Sequence, residues 1–220
     1  SEQDAVALRQ IAPSGNFVVA PNGVDTRERT PIKSTGQSLV FIGGASWFPN
    51  LDALEYFGTE ILPLIRSVRP DVTIHWIGQC SDALKRETKQ RFDIELLGYV
   101  DQLDSFLGDS SVFVVPMRVG GGTRLKILDA WAWGLPVVST TVGCEGLEAR
   151  DGENIMIGDS PSEFVSAIER LLRDNSLRAR IADAGRQTAV SMYDWTHIGS
   201  ILRSSLNQVL ANPSGVTTGK

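Results

Sequence analysis

The sequence is poor in cysteine and histidine, which restricts the chemistry that it can support. Its 220 residues include two cysteines and two histidines. Cys80 and Cys144 have neither metal-ligand spacing nor a partner motif, which is typical of a reduced cytosolic setting. Both are predicted to be buried small side chains. His75 falls inside a predicted strand and His197 begins a predicted helix, so both histidines are interpreted as structural.

Long apolar runs and a strong net charge are also absent. No stretch of about 18 apolar residues occurs, so no transmembrane segment is predicted. The first ten residues lack a signal-peptide pattern. The net charge of −5 argues against general nucleic-acid binding. The hydrophobic fraction of 42% is enough for a full core and argues against disorder.

What the sequence does contain is a regular alternation of short apolar runs and helical periodicity, about six times along the chain. Continuously apolar strands are typical of a parallel sheet covered on both faces. The pattern therefore predicts an α/β fold, a doubly wound parallel sheet with closing C-terminal helices. The predicted strands are 16–20, 38–42, 72–77, 94–97, 111–116, 137–139 and 154–157. The predicted helices are 1–10, 50–68 with a break at Pro63, 82–91, 101–107, 124–133, 162–173, 176–190 and 196–210.

Glycines follow several of these strands, and the loops that contain them are expected to meet. In a doubly wound sheet, ligands bind in the crevice beyond the carboxyl ends of the strands. Loops that follow parallel strands share that rim of the sheet. The sequence therefore predicts a ligand site formed by the glycines at 43–44, 78, 98, 120–122 and 143.

The stretch from Arg118 to Thr140 carries the most information about function. It is interpreted as a glycine loop, a helix over 124–133 and a buried strand. Thr123 is predicted to be the helix N-cap and Gly134 the C′ residue. The glycines at 120–122 permit backbone conformations closed to other residues, and they leave room for a ligand near main-chain N–H groups.

The charges on this helix indicate an anion site. Arg124 and Lys126 lie in the first turn, where the helix end already carries about half a positive charge. An anionic phosphate or diphosphate would make this arrangement favourable. Asp129 lies one turn after Lys126 on the same face, where it could accept hydrogen bonds from ribose hydroxyls. The alternative is a solvated charged face beside a flexible loop, since the loop matches neither the Walker A pattern nor GxGxxG.

Several motifs together resemble the C-terminal half of group 1 glycosyltransferases, retaining enzymes of the GT-B fold grouped as family four. They keep their order and spacing over nearly the whole chain. They are PNGVD at 21–25, FIGGASWFPN at 41–50, GYVDQL at 98–103, GGGTRLKILDAWAWGLPVVST at 120–140, GCEGL at 143–147, DSPSEF at 159–164 and YDW at 193–195. The resemblance implies a domain that binds a nucleotide sugar, UDP- or GDP-linked, with no further cofactor and no metal.

The resemblance also implies roles for individual residues. Lys126 would contact the donor diphosphate, and the main-chain N–H groups at 121–123 would support it. Arg118 and Arg124 would either add positive potential near the phosphates or simply be solvated. Glycines 43 and 44 would let the first loop approach the phosphates. The expected donor-binding residues are Gly43, Gly44, Tyr99, Val100, Gly121, Gly122, Thr123, Arg124, Lys126 and Asp129.

One departure concerns the E-x7-E pattern of the family. Asp129 stands at the second glutamate, which holds the ribose, and Gly121 stands at the first, which lies near the donor sugar. Glu145, in a later loop, is a candidate for the missing carboxylate. Tyr99 and Val100 would border the base. No catalytic residue is assigned.

The chain is shorter than the two-domain enzymes that it resembles. Residues 1–37 are therefore interpreted as the end of an N-terminal domain and an interdomain linker. Residues 38–212 would be the Rossmann-like nucleotide-sugar-binding domain, and 213–220 a flexible tail. The missing domain would hold a saccharide or lipid-linked acceptor, so the fragment is expected to bind donor weakly without turnover. The expected location is cytoplasmic, with the inner membrane surface as the place where a lipid-linked acceptor is met.

Two other classes of function stay open at this point. One is a non-catalytic nucleotide-binding or interaction domain of the same fold. The other is a GT-B sugar epimerase or a Rossmann dehydrogenase. The dehydrogenase is disfavoured because no GxGxxG follows the first strand with an acidic residue about 20 residues further on.

Overall fold

The computed structural model describes residues 2–32 and 36–211; the predictions for Ser1, for residues 33–35 of the linker and for the tail at 213–220 lie outside them. The helices are α1 Glu2–Ile11, α2 Phe48–Tyr56, α3 Leu62–Val68, α4 Asp82–Phe92, α5 Asp104–Asp109, α6 Leu125–Ala132, α7 Pro161–Arg173, α8 Asn175–Thr188 and α9 Trp195–Ala211. The strands are β1 Ser38–Ile42, β2 Ile74–Ile77, β3 Glu95–Gly98, β4 Ser110–Val115, β5 Val137–Ser139 and β6 Met156–Ile157. Within the described residues, no helix is long and apolar enough to cross a membrane.

The described strands form one parallel sheet in the order β3-β2-β1-β4-β5-β6. The chain runs outward from β1 to β3, then returns to the other side of β1 and runs outward again to β6. The strand order therefore reverses between β1 and β4, and a ligand crevice is expected at that point. The predicted doubly wound α/β fold is confirmed.

The core lies on both faces of β1 and β4. Leu39, Val40 and Phe41 of β1 are fully buried, as is the apolar run of β4 from 112 to 115. The ring of Phe41 stacks on Trp76 of β2 with a centroid distance of 4.0 Å. Because helices cover both faces, these strands contain no alternation of polar and apolar residues.

The helix predicted over 50–68 contains a wider turn at the expected break. Residues Phe57–Ile61 form a π-helical turn between α2 and α3. Pro63 is the second residue of α3, which follows this turn. Proline has no N–H to donate, and its ring clashes with the carbonyl group four residues earlier in a regular α-helix. The π-helical turn accommodates the proline without ending the helix.

Three local interpretations are wrong. Residues 16–20 are irregular rather than a strand, because no described strand lies beside them to supply ladder hydrogen bonds, and Val18 is exposed. The predicted turn at 21–25 is instead extended at Val24, which forms an isolated bridge with Asp194. Cys80 is only partly buried, whereas Cys144 is buried as predicted.

Asp194 attaches the segment before β1 to the start of α9. Its Oδ2 accepts hydrogen bonds from the hydroxyl (2.5 Å) and the N–H (3.3 Å) of Thr26. Its Oδ1 accepts a bond of 2.8 Å from the N–H of Thr196, and the Thr196 hydroxyl donates to the same oxygen. These bonds, those of Thr196 foremost, hold the pKa of Asp194 well below its usual range.

Replacing Asp194 with asparagine should therefore reduce stability in a pH-dependent way. We expect a loss of about 1–2 kcal/mol at pH 7, because one carboxylate oxygen becomes an N–H₂ group that cannot accept. A carboxylate with a lowered folded-state pKa contributes stability above its unfolded pKa of about 4 and loses it at lower pH. Urea unfolding at pH 7 and pH 3 should show the difference between the two proteins shrinking in acid. Asp183→Asn, on the exposed side of α8, is the control.

Candidate functional site

The loops that follow β1, β2 and β3 are joined at the rim of the sheet. The N–H of Gly43 donates to the carbonyl of Ile77 (2.8 Å), and the N–H of Gly78 donates to the carbonyl of Gly98 (2.8 Å). Gly78 has a φ of 151°, and a Cβ there would lie 2.4 Å from the carbonyl carbon of Gly43. The predicted convergence is confirmed for the loops at 43–44, 78 and 98, and Gly78 is required by the close approach of the first loop.

On the other side of the crevice, Arg124 holds the glycine loop. Its guanidinium is buried, with 3% exposure, and burial lowers its pKa. It donates to the carbonyls of Gly120 (2.9 Å), Gly121 (3.3 Å) and Val142 (2.9 and 3.1 Å). Its Nη2 also lies 3.8 Å from the carboxylate of Glu145. Arg124 therefore attaches the loop at 120–122 to the turn at 142–144, with its N–H groups occupied by main-chain oxygens.

The start of α6 differs from the prediction. Arg124, not Thr123, is the N-cap, and its side chain makes no hydrogen bond to the first turn. The prediction of Thr123 as cap is wrong because the buried guanidinium determines where the chain enters the helix. Gly134, with a φ of 70°, follows the C-cap as predicted.

The tip of the glycine loop is open. Gly121 and Gly122 are exposed, and a Cβ at either would meet no atom within 4 Å. Gly122 has a φ of 82°, which favours glycine. No described residue accepts a hydrogen bond from the N–H groups of 121–123. The loop therefore presents main-chain donors to open space.

Lys126 reaches from α6 across the crevice to the loop after β1. Its Nζ donates to Oδ1 of Asn50 (2.7 Å) and lies 3.9 Å from the centroid of the Phe41 ring. Burial, and secondarily the charge of Arg124, lower the pKa of Lys126 to about 7. A Cβ on Gly43 would lie 2.8 Å from the same Nζ. The structure thus brings Lys126 and Gly43 together at the point where the strand order reverses.

Asn50 is a site residue that the sequence reasoning missed. It lies in the first turn of α2 with 5% exposure. Its Nδ2 donates to the carbonyl of Gly44 (2.9 Å) while its Oδ1 accepts from Lys126. The sequence feature that could have identified Asn50 is a neutral polar residue at the start of a predicted helix, shortly after the Gly43-Gly44 loop.

Asp129 faces the segment before β1. The Nε of Arg29 lies 2.6 Å from its Oδ1, and the guanidinium lies 5.6 Å from the ring of Trp133. Burial raises the pKa of Asp129, and the charge of Arg29 opposes this rise. A ribose hydroxyl at Asp129 would therefore have to share the carboxylate with Arg29 or displace it. The ribose role of Asp129 stays a prediction.

The other predicted contacts are more dispersed. Tyr99 is 81% exposed and Val100 is partly buried, directly after β3. Because β3 is two strands from β1, they lie about 10 Å along the rim from the first loop. Arg118 points at α2, where it pairs with Asp52 (2.8 Å) and covers the ring of Tyr56. In the part of the chain that the structure describes, no cluster of His, Cys, Asp or Glu could hold a metal ion.

Comparison with known proteins assigns the chain to a family. Residues 36–174 match the family of glycosyl transferases group 1. The chain is 38% identical over 103 residues to the lipopolysaccharide core biosynthesis glycosyltransferase LpsE of Rhizobium meliloti (strain 1021), a match that covers 46% of the chain and 30% of LpsE. The chain therefore spans well under half of the length of that relative.

Two solved structures have a similar fold. The C-terminal domain of the group 1 family protein LpcC from Francisella tularensis has a TM-score of 0.63 at 21% identity, covering 79% of this chain and 100% of that domain. The pneumococcal O-GlcNAc transferase GtfA, in complex with UDP and GlcNAc, has a TM-score of 0.70 at 19% identity, covering 95% of this chain and 44% of GtfA. At these identities the two likenesses show the fold. Since the family match covers well over half of the sequence, the chain belongs to the group 1 glycosyltransferases.

Proposed function

We propose that this domain binds a nucleotide diphosphate sugar, UDP- or GDP-linked, and that the sugar is transferred with retention to a saccharide or lipid-linked acceptor. The observation that carries the proposal is the position of Lys126. Its ammonium lies in the crevice between β1 and β4, against Gly43. Ligands of doubly wound sheets bind in this crevice.

The electrostatics of the crevice favour an anion. Among the described residues no carboxylate pairs with Lys126, whose hydrogen-bond acceptor is the neutral amide of Asn50. A desolvated cation without a counter-charge is unfavourable, and a diphosphate would offset that cost. The open N–H groups at 121–123 would add hydrogen bonds to the phosphate oxygens. A diphosphate would therefore complement the charge of Lys126 and the open donors of the loop.

Relatives support the choice of ligand and acceptor. The GtfA structure contains UDP and GlcNAc, and the name of LpsE assigns it to lipopolysaccharide core biosynthesis. We accordingly propose a UDP- or GDP-linked donor and a saccharide or lipid-linked acceptor. A cytoplasmic location, with contact at the inner membrane surface, stays a prediction.

We further propose that a domain outside this chain holds the acceptor. The chain spans 30% of LpsE and 56% of a D-inositol 3-phosphate glycosyltransferase from Paenarthrobacter aurescens. Helix α9 exposes Leu202, Leu206 and Leu210, an apolar set that a further domain could cover. The interpretation of residues 1–37 as the end of such a domain and a linker belongs to this proposal.

Isothermal titration calorimetry tests the donor site directly. UDP or GDP is expected to bind with a Kd on the order of 0.1–1 mM. Uridine or guanosine, which lack the diphosphate, should bind at least tenfold more weakly if the phosphates supply the affinity. Equal affinity for UDP and uridine, or binding of NAD in preference to both nucleotides, would contradict the proposal. In a transfer assay, the chain alone is expected to show no turnover.

A further inference from the structure

We infer that Asn50 is a positioning residue for the donor site: its side-chain amide holds the Lys126 ammonium in the crevice and leaves the positive charge available to a phosphate. The inference rests on the proposed function, because positioning of this charge matters when a nucleotide diphosphate binds. Asn50 itself would act through Lys126 and need not touch the donor.

The amide of Asn50 connects three elements with its two ends. Oδ1 accepts from Lys126 of α6 at 2.7 Å, and Nδ2 donates to the carbonyl of Gly44 in the loop after β1 at 2.9 Å. The orientation of the amide is determined by its partners, since an ammonium can only donate and a carbonyl can only accept. With 5% exposure, the amide has little competing water. Asn50 therefore fixes Lys126 and the first loop relative to each other.

The backbone of Gly43 completes this arrangement. A Cβ on Gly43 would lie 2.8 Å from both the Nδ2 of Asn50 and the Nζ of Lys126. The Lys126 ammonium is thus bounded by the amide, the first loop and the Phe41 ring. The described charged group that acts on it is Arg124, on the side of the glycine loop. These contacts restrict where the ammonium can point.

A neutral amide suits this task better than a carboxylate would. Acceptance of a hydrogen bond by an amide oxygen stabilises the charged form of lysine without cancelling its charge. A carboxylate at the same position would pair with the ammonium and compete with an incoming phosphate. Asparagine and aspartate have nearly the same shape. A comparison of the two side chains at position 50 therefore distinguishes an effect on the Lys126 charge from an effect on packing.

The test compares Asn50→Asp and Asn50→Ala with the wild-type protein between pH 6 and pH 9. The probe is UDP-glucose or GDP-mannose, whichever the wild type binds, because their diester phosphates keep the same charge over this range. Calorimetry gives the affinity. The ¹³C shift of the Lys126 ε-carbon, assigned with Lys126→Met, gives the pKa of Lys126 without ligand. Asn175→Asp, at the exposed start of α8, is the matched control.

In the wild type, the affinity for the nucleotide sugar should fall as the pH rises above about 7, because deprotonation removes the charge on Lys126. Asn50→Asp should raise the pKa of Lys126 by about one unit or more and weaken binding at least tenfold at pH 7. Asn50→Ala should lower that pKa and move the loss of affinity to lower pH. Asn175→Asp should change neither quantity.

The outcomes that overturn the inference are distinct from failure of the proposed function. If the wild type binds neither nucleotide sugar, the proposed donor site fails, while the ligand-free pKa of Lys126 still tests Asn50. A purely structural Asn50 would lower affinity equally at every pH and leave the Lys126 pKa unchanged in Asn50→Ala. Circular dichroism confirms folding, and Asn50→Leu, which is similar in size and has no acceptor, replaces Asn50→Ala if that variant does not fold.

Discussion

Replacing Lys126 with methionine is expected to weaken UDP binding at least tenfold and, at the same time, to make the folded domain more stable. The binding loss follows from removal of the cation that faces the crevice, since charge-assisted hydrogen bonds contribute about 1.5–3 kcal/mol. The stability gain follows because burial of the Lys126 ammonium is unfavourable and methionine removes that cost. The same burial lowers the pKa of Lys126 from 10.5 to about 7. Methionine has a similar length and fills the same space without a charge.

The sign of the stability change depends on pH in a way that identifies its cause. A lysine with a lowered folded-state pKa binds its proton more tightly in the unfolded chain, so the wild type gains stability as the pH rises between about 7 and 10.5. The variant should lack this rise. At pH 7 we expect a net gain of about 1–2 kcal/mol for the variant, because the unpaired oxygen of Asn50 offsets part of the benefit.

Urea unfolding at pH 7 and pH 9, combined with calorimetry, measures both effects. The control is Lys89→Met on the exposed face of α4, where Lys89 pairs with Asp93. That change should leave UDP affinity as it is and alter stability by less than about 1 kcal/mol. A Lys126→Met protein that binds UDP normally and is less stable than the wild type would show that Lys126 is a packing residue and that the anion site lies elsewhere.

The second large effect is expected for Arg124→Met, and it has the opposite sign on stability. Removal of the guanidinium leaves the carbonyls of Gly120, Gly121 and Val142 without their donor. Loss of one partner from a buried charged network costs about 2–4 kcal/mol. Arg124→Lys should recover little of this, since one ammonium cannot replace a planar fork of donors.

Urea unfolding and ¹⁵N relaxation at residues 119–123 test the role of Arg124. The backbone order parameters of the loop should fall in Arg124→Met, and UDP affinity should fall because the loop loses its fixed shape. Arg118→Met is the matched control, since the ion pair that the exposed Arg118 forms with the partly buried Asp52 should contribute less than about 1 kcal/mol. Equal losses of stability in the two variants would refute the role assigned to Arg124.

These two buried cations differ in how many acceptors each one has. Arg124 meets several main-chain oxygens and the nearby carboxylate of Glu145, so its charge is well compensated within the fold. Lys126 meets one neutral amide oxygen and an aromatic ring. The first arrangement stabilises the protein, whereas the second is favourable chiefly when an anion binds. Residue type and sequence position did not separate these roles, since both residues were expected among the donor-binding residues.

Interpretations that depended on long-range contacts were the ones that failed or were incomplete. Residues 16–20 have strand-like composition, but a strand requires a neighbour to supply hydrogen bonds, and none of the described strands lies beside them. Thr123 has the better intrinsic capping propensity, but the contacts of Arg124 with Val142 place the helix start one residue later. Asn50 was overlooked because its partner Lys126 is 76 residues away.

The order of strands and helices, the glycines at the strand ends and the cations at the start of α6 were all determined by the sequence itself. They depend on periodicity, backbone freedom and local charge, which are properties of neighbouring residues. The tertiary structure alone decided that Asn50 holds Lys126, that Arg29 pairs with Asp129 and that Arg124 belongs to the loop. Such pairings depend on strand order and on the face that each helix presents, and these become defined only when the whole sheet has formed.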